Sequence, residues 1–168
     1  MPQQALKPAE PGGQQRSSST LQALVSIARR LGSEASAEQL KRTYALESGE
    51  PPSDTLIAIA RDIGLEARSL FVKFRDLPNL AKALPAILRA NDGSALILEG
   101  ASVDPAKGAI AILRDPADPG AQPVAIDELR LAEVWSGEIV LIKRRYGLGD
   151  DEKFFGLGWI MGQVLREK

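Results

Sequence analysis

The sequence predicts an α+β fold in which short helices precede an antiparallel sheet, and three patterns support this prediction. Apolar residues recur at helical spacing as far as Gly64. From Leu65 onward the period changes to two, as in a half-buried strand whose one face is Leu65, Ala67, Ser69 and Phe71 and whose other face is Glu66, Arg68 and Leu70. Farther along, Asn91-Asp92-Gly93 separates two apolar runs, and its Asp-Gly pair supplies the positive φ that a tight hairpin requires.

The first predicted helix has the strongest amphipathic pattern. Ser19 or Thr20 is expected to cap it, because serine and threonine are favoured at that position, and Gly32 marks its end. Its predicted inward face is Leu21, Leu24, Val25, Ala28 and Leu31. A soluble helix buries such a stripe against its neighbours.

Two shorter helices are expected before the first strand. Ser36 and Gln39 form a capping box that opens the second helix. The third follows Pro51-Pro52, with Ser53 or Asp54 as its N-cap and Gly64 at its end. The apolar faces of these two helices are Leu40 and Tyr44 in one, and Leu56, Ile57, Ile59, Ala60 and Ile63 in the other.

The remaining pattern is mainly that of strands. The predicted strands are 65–71, 84–89, 95–98, 109–113 and 139–143, the second and third forming the Asp-Gly hairpin. Between the last two, Asp127 is expected to cap one or two helical turns. The side chains expected to pack from these turns against the sheet are Leu129, Leu131, Ala132 and Trp135.

Composition excludes several kinds of chemistry. The chain has neither cysteine nor histidine, so it offers no thiolate or imidazole for zinc binding or for nucleophilic catalysis. No metal site and no cofactor is predicted, and no GxxxxGK[ST] sequence is present for nucleotide binding. With 21 Lys+Arg against 22 Asp+Glu, the net charge is −1 and nucleic-acid binding is not expected. A helix-turn-helix in helices two and three also conflicts with Glu47, Glu50 and Asp54 between them.

The two ends differ from the central domain. Residues 1–18 are rich in Pro, Gly, Gln and Ser, and we interpret them as a flexible lead-in. The predicted domain is 19–146, and 147–168 is interpreted as a linker and an amphipathic helix. The apolar run 154–165 is too short to cross a bilayer, so it either lies in a membrane interface or docks on the domain's own core.

Several separate stretches, in this order, resemble one family. They are ALVSIARRLG (23–32), AEQLKRTYAL (37–46), ARDIGLEAR (60–68), LPAIL followed by DGSALIL (84–98), RDPA (114–117) and DELRLAEVWSGEIVLIKRR (127–145). The chain resembles the papain-related cysteine peptidase family thirty-nine, as found at the N-terminus of bacterial ABC exporters. It is most similar to the catalytically inactive form in type I secretion exporters. This resemblance implies a papain-like fold, with the three helices packed on the antiparallel sheet.

The resemblance also implies where the family's catalytic residues would lie, and this chain lacks two of them. Ser19 matches the nucleophilic cysteine at the start of helix one, and Ala95 matches the histidine, or Ser94 if the turn is one residue shorter. Asp115 matches the third member, although an aspartate before proline is also a common turn former. Gln14 or Gln15 is the candidate for the family's oxyanion donor. Ser19, Ala95 and Asp115 therefore mark a relic site, and no catalytic residue is predicted.

The function implied by the resemblance is that of a non-catalytic binding domain. It would hold an unfolded secreted protein at the cytoplasmic face of an inner-membrane exporter, beside the exporter's membrane and nucleotide-binding domains. The C-terminal helix would then lie at the inner-membrane surface. If the ancestral groove is reused, Asp115 and Trp135 are the candidate substrate-binding residues, whereas docking on another face remains open. The alternative is a residual leader-peptide hydrolase that uses Ser19 with Asp115, Lys73 or Lys82.

Overall fold

The structure, a computed structural model, describes residues 18–46, 49–118 and 120–145. The predicted C-terminal helix, the candidates Gln14 and Gln15, and all of the predicted lead-in except Ser18 lie outside these residues. The helices are α1 (Ser19–Arg30), α2 (Ala37–Thr43), α3 (Ser53–Asp62) and α4 (Glu128–Ala132), with a 3₁₀ segment at Phe74–Ala83. The strands are β1 (Leu65–Phe71), β2 (Ala86–Ala90), β3 (Ala95–Asp104), β4 (Gly108–Arg114), β5 (Val124–Ile126) and β6 (Trp135–Arg144).

All six strands form one antiparallel sheet in the order β1-β6-β2-β3-β4-β5. The final strand β6 lies between β1 and β2, so the end of the domain is paired with both its first strand and its central hairpin. The predicted α+β fold, with three N-terminal helices on an antiparallel sheet, is confirmed.

The sheet separates two hydrophobic layers. On one face, α1, α2 and α3 pack against Ile87, Ile97 and Val140. On the other, the 3₁₀ segment and α4 cover Leu88 and Ile139. Because successive side chains of a strand point to opposite faces, β2 and β6 supply both layers, and each contains a continuous apolar run, 86–88 in β2 and 139–142 in β6. These two strands fix the position of the helices relative to the rest of the sheet.

Two predicted helix caps are wrong. The N-cap of α1 is Ser18, whose hydroxyl accepts the Leu21 N–H at 3.1 Å, and neither Ser19 nor Thr20 has this role. Pro52 occupies the N-cap of α3 and offers no side-chain hydrogen bond. The predicted caps at Ser36 and Asp127 are confirmed, since their side chains accept N–H groups at the starts of α2 and α4.

The strand predictions were correct in position and incomplete in extent. The sequence analysis missed the 3₁₀ segment and β5, and it ended β3 six residues before Asp104. Phe71 does not continue the buried face of β1, because its side chain is 67% exposed. Leu129 and Ala132 were expected to pack on the sheet but are both exposed, Leu129 by 81%, since α4 is short and turns only Leu131 fully inward. Trp135 does pack on the sheet, but as the first residue of β6 rather than from the helical turns.

Candidate functional site

The candidate site lies where α1 begins, beside the β2–β3 hairpin. The backbone N–H of Ala95 donates to Ser19 Oγ at 2.8 Å, and the Thr20 hydroxyl donates to the Gly93 carbonyl at 3.4 Å. Gly93 has a φ of 90°, the positive value expected for the Asp-Gly turn. The structure therefore brings together Ser19 and Ala95, two of the positions that the family resemblance matches with catalytic residues.

Ser94, the alternative match to the histidine, forms its hydrogen bonds elsewhere. The hydroxyl and the N–H of Ser94 both donate to Asp92 Oδ1, at 2.5 and 2.9 Å, within the turn itself. Ser94 is thus committed to the hairpin, and Ala95 is the residue in contact with Ser19.

A carboxylate that the sequence analysis did not identify as a site residue fills the start of α1. Glu50 Oε1 accepts the Ser19 N–H at 2.8 Å and the Ser19 hydroxyl at 2.7 Å. Its Oε2 accepts the Thr20 N–H at 2.9 Å and the Ser18 hydroxyl at 2.5 Å. Four donors from three consecutive residues thus converge on one side chain, where the positive end of the helix dipole also favours an anion.

These donors keep Glu50 ionised. Burial opposes ionisation, but the hydrogen bonds donated by Ser18, Ser19 and Thr20 outweigh it and hold the pKa of Glu50 below its usual value. Glu50 is therefore an anion at neutral pH, and it is a weak base.

The backbone after Glu50 is fixed by a buried arginine. Arg89 Nη1 donates to the Pro51 carbonyl at 2.9 Å and to Thr20 Oγ1 at 3.1 Å, which joins this loop to α1. Arg89 is 8% exposed, and its Nε has no hydrogen-bond partner among the described residues. Since a buried guanidinium is costly to desolvate, these hydrogen bonds to Pro51 and Thr20 offset part of that cost and hold the loop against α1.

The arrangement around Ser19 is unsuited to nucleophilic attack. Its hydroxyl donates to Glu50 and accepts from Ala95, so both sides of the oxygen are already engaged. A base with a lowered pKa takes a hydroxyl proton poorly. In addition, the N–H groups at the start of α1 that could stabilise an oxyanion are hydrogen-bonded to Glu50.

The lysines considered as alternative bases are not hydrogen-bonded to Ser19. Lys73 lines a groove formed by β6, α4 and the residues that follow β1, and Lys82 lies in the last turn of the 3₁₀ segment. Neither side chain is among the hydrogen-bond partners of the Ser19 hydroxyl.

Asp115 lies at the same end of the sheet as Ser19, but its side chain is hydrogen-bonded within its own turn. It directly follows Arg114, which pairs with Ile97, so the chain leaves β4 close to the start of β3. Its side chain is exposed, and Oδ1 accepts the Ala117 N–H at 2.9 Å. This geometry is that of an Asx turn.

Trp135 is mainly a core residue that also borders an open groove. It is 6% exposed, and its indole N–H donates to the Glu138 carbonyl at 2.7 Å. The groove has a volume of about 490 Å³. It is lined by Val72, Lys73, Phe74, Arg75, Glu128, Ala132, Trp135, Ser136 and Gly137. Trp135 and the Ser19 site thus lie toward the same end of the sheet, in layers on opposite faces.

The described part of the chain lacks two further features, a carboxylate metal site and a membrane-spanning helix. No group of three or more Asp or Glu residues there is placed to hold a metal ion. None of the helices within 18–46, 49–118 and 120–145 has the length and hydropathy needed to span a membrane.

Comparison with known families decides the classification. The sequence profile described as the Peptidase C39 family matches residues 13–146, which is most of the chain. The chain belongs to the peptidase C39 family. The family resemblance inferred from the sequence stretches is therefore confirmed. Ser19 and Ala95 can accordingly be discussed as positions in a C39 domain. None of the curated protein sequences compared with the chain is significantly similar to it.

Solved C39 structures share this fold. The N-terminal peptidase C39-like domain of a toxin secretion ATP-binding protein from Vibrio parahaemolyticus is 25% identical, with a TM-score of 0.62, covering 76% of this chain and 98% of that one. The peptidase domain of Streptococcus ComA, a bi-functional ABC transporter in a quorum sensing pathway, is 18% identical, with a TM-score of 0.62 and coverages of 77% and 93%. A double glycine motif protease from an AMS/PCAT transporter, solved with its leader peptide, is 19% identical, with a TM-score of 0.58 and coverages of 76% and 84%.

Proposed function

We propose that this C39 domain is a non-catalytic part of a type I secretion ABC transporter, where it binds or positions the unfolded secretion substrate at the cytoplasmic face. In this proposal, the C-terminal segment leads to the inner membrane and to the exporter's membrane and nucleotide-binding domains. The family membership and the transporter origin of the similar structures support the setting.

The proposed loss of catalysis rests on one observation. The Ser19 hydroxyl, at the position matched with the thiol, is hydrogen-bonded to the Glu50 carboxylate and to the backbone N–H of Ala95. A C39 nucleophile needs an imidazole beside it and free donors for the oxyanion. Here Ala95 supplies only its N–H, and Glu50 already uses the donors of Ser19 and Thr20. Removing triad members from other enzymes lowers kcat by a factor on the order of 10⁶. We therefore propose that the domain retains the C39 fold but does not catalyse peptide cleavage.

The role in binding rests on the scaffold and on surfaces that are open to a peptide. Asp115 and Trp135 remain our candidate substrate-binding residues, since the exposed Asp115 carboxylate and the groove beside Trp135 are both accessible. An extended chain could contact either surface.

A titration with an unfolded protein tests this proposal. The ¹⁵N-labelled chain is mixed with reduced, carboxymethylated α-lactalbumin, which stays unfolded, and with native α-lactalbumin as the matched control. We expect concentration-dependent amide shifts with the unfolded form alone. Equal shifts with both forms, or none with the unfolded form, would reject the binding role.

A further inference from the structure

The groove beside Trp135 has an apolar floor. Val72, Phe74 and Trp135 are each less than a tenth exposed, and they belong to the hydrophobic layer beneath the groove. A Cβ added at Gly137 would lie 2.9 Å from the Val72 carbonyl oxygen, so glycine lets the end of β1 approach the start of β6 here. The floor is therefore built from tightly joined strands.

Large apolar side chains adjoin this groove in sequence and stay exposed. Val134 precedes Trp135 and is 46% exposed. Leu129, next to Glu128 on α4, is 81% exposed. Exposed apolar residues clustered around a concave surface are typical of binding sites.

Three charged residues line the groove, and two of them are positive. Lys73 and Arg75, which are exposed, line it beyond the end of β1, and Glu128 lines it from α4. Among the described residues, none of these three forms an ion pair. The groove thus carries an excess of positive charge on a chain whose net charge is −1.

We propose that this groove binds an extended segment of unfolded polypeptide in which a bulky apolar side chain stands next to an acidic one. The apolar side chain contacts Trp135 and Phe74, and the carboxylate faces Lys73 and Arg75. The volume of about 490 Å³ lies within the range of ligand pockets and suits one or two large side chains. This inference rests on the proposed binding function and adds the place and chemistry of recognition.

Charge complementarity favours this occupant over a second copy of the chain. A two-fold contact through the groove would bring Lys73 and Arg75 of one copy toward the same residues of the other, and like charges in an interface are unfavourable. An acidic peptide instead supplies the missing partners.

The test uses three fluorescently labelled synthetic peptides. Each is a flexible chain of Gly and Ser with one central tripeptide, which is Phe-Asp-Asp, Phe-Lys-Lys or Ala-Asp-Asp. Their binding to the full 168-residue chain is followed by fluorescence anisotropy. We expect Phe-Asp-Asp to bind at least about tenfold more tightly than either other peptide, and Glu128→Gln to strengthen that binding.

Variants locate the binding. Lys73→Gln with Arg75→Gln should bring the Phe-Asp-Asp and Phe-Lys-Lys affinities together. Arg29→Gln with Arg42→Gln, on the helices of the opposite face, removes the same charge and should preserve the preference. Circular dichroism checks that both pairs fold. The inference is overturned if Phe-Lys-Lys binds as tightly as Phe-Asp-Asp, if the preference survives in the groove variant, or if sedimentation shows a dimer that excludes the peptide.

The failure of this inference differs from the failure of the proposed function. If unfolded α-lactalbumin binds the groove variant as it binds the unmodified chain, the groove assignment is wrong and the binding function stands. If neither the peptides nor the unfolded protein binds, both are wrong.

Discussion

The backbone N–H of Ala95 donates to the hydroxyl of Ser19 across 2.8 Å. The family resemblance matches these two positions with the imidazole and the nucleophile, respectively. The start of α1 and the start of β3 therefore meet where the reaction would take place, although both reactive side chains are absent. The acceptor that completes the contact is Glu50, which engages the other side of the same hydroxyl.

Glu50→Gln is expected to destabilise the domain. The amide replaces a carboxylate that accepts four hydrogen bonds at the start of α1, and its NH₂ group faces donors that it cannot bond. Because the site is partly exposed, we expect a loss of about 1–2 kcal/mol in the free energy of unfolding. Urea denaturation measures it, with Glu34→Gln, an exposed glutamate outside any helix, as the control. Equal stability of the two variants would show that the contact contributes little.

The contribution of Glu50 should depend on pH. Its pKa in the folded state is below the ordinary value of 4.5, so the folded state favours the ionised form. Its stabilisation is therefore complete above the unfolded pKa and is lost as the pH falls through the folded pKa. The difference in unfolding free energy between the unmodified chain and Glu50→Gln should be constant near neutrality and shrink below about pH 4.5. A difference that grows in acid would contradict this assignment.

The layout of the domain could be predicted from local patterns because those patterns report burial directly. The helical spacing of Leu21, Leu24 and Ala28 places α1 on the sheet, and Gly93 marks the hairpin. The 3₁₀ segment was missed because it has three residues per turn rather than 3.6 and contains Pro78, which does not suggest a helix. The strand β5 was missed because three residues are too few to show an alternation. The burial of Phe71 and Leu129 was predicted wrongly, because a sequence pattern does not show which residues of a strand or short helix are left without a neighbouring element packed on them.

The site was only half predictable. The positions of Ser19 and Ala95 followed from the family resemblance, and the structure brings them into contact. Glu50 could not be assigned from its surroundings in the sequence, because its partners are about 30 residues away and depend on how the loop before Pro51 folds. The cap of α1 was misplaced by one or two residues for a related reason, since Ser19 and Thr20 are bound by Glu50 while Ser18 takes the cap.

A thiol placed at position 19 should report the charge of Glu50. The chain has no cysteine, so Ser19→Cys introduces a single thiol. A carboxylate beside it raises the thiol pKa, which opposes the effect of the helix N-terminus. Adding Glu50→Gln should lower that pKa by about one unit. Alkylation by iodoacetamide at pH 7 should then be about threefold faster, because the lower nucleophilicity of the thiolate offsets part of its roughly tenfold higher population.

The matched control for this experiment is Ser36→Cys, at the N-cap of α2. This thiol also lies at the start of a helix, but Glu50 is not among the partners of Ser36. Glu50→Gln should leave its alkylation rate unchanged. An equal acceleration at both thiols would indicate a general loosening of the domain rather than removal of a local charge.

Gly137→Ala is expected to be more damaging than Gly64→Ala. Both glycines have positive φ, 117° and 89°. At Gly137 the new Cβ would also lie 2.9 Å from the Val72 carbonyl oxygen, whereas nothing lies within 4 Å at Gly64. We expect about 1 kcal/mol of destabilisation for Gly64→Ala and about 2 kcal/mol or more for Gly137→Ala, measured by urea denaturation. Equal losses would show that the β1–β6 junction adjusts without strain.

The central claim is that this C39 scaffold has lost its reaction, and a cleavage assay tests it most directly. The chain is incubated with peptides that carry a double-glycine leader, and the products are read by mass spectrometry beside a Ser19→Ala sample. We predict intact peptide in both samples. Cleavage after the double glycine that disappears with Ser19→Ala would contradict the account.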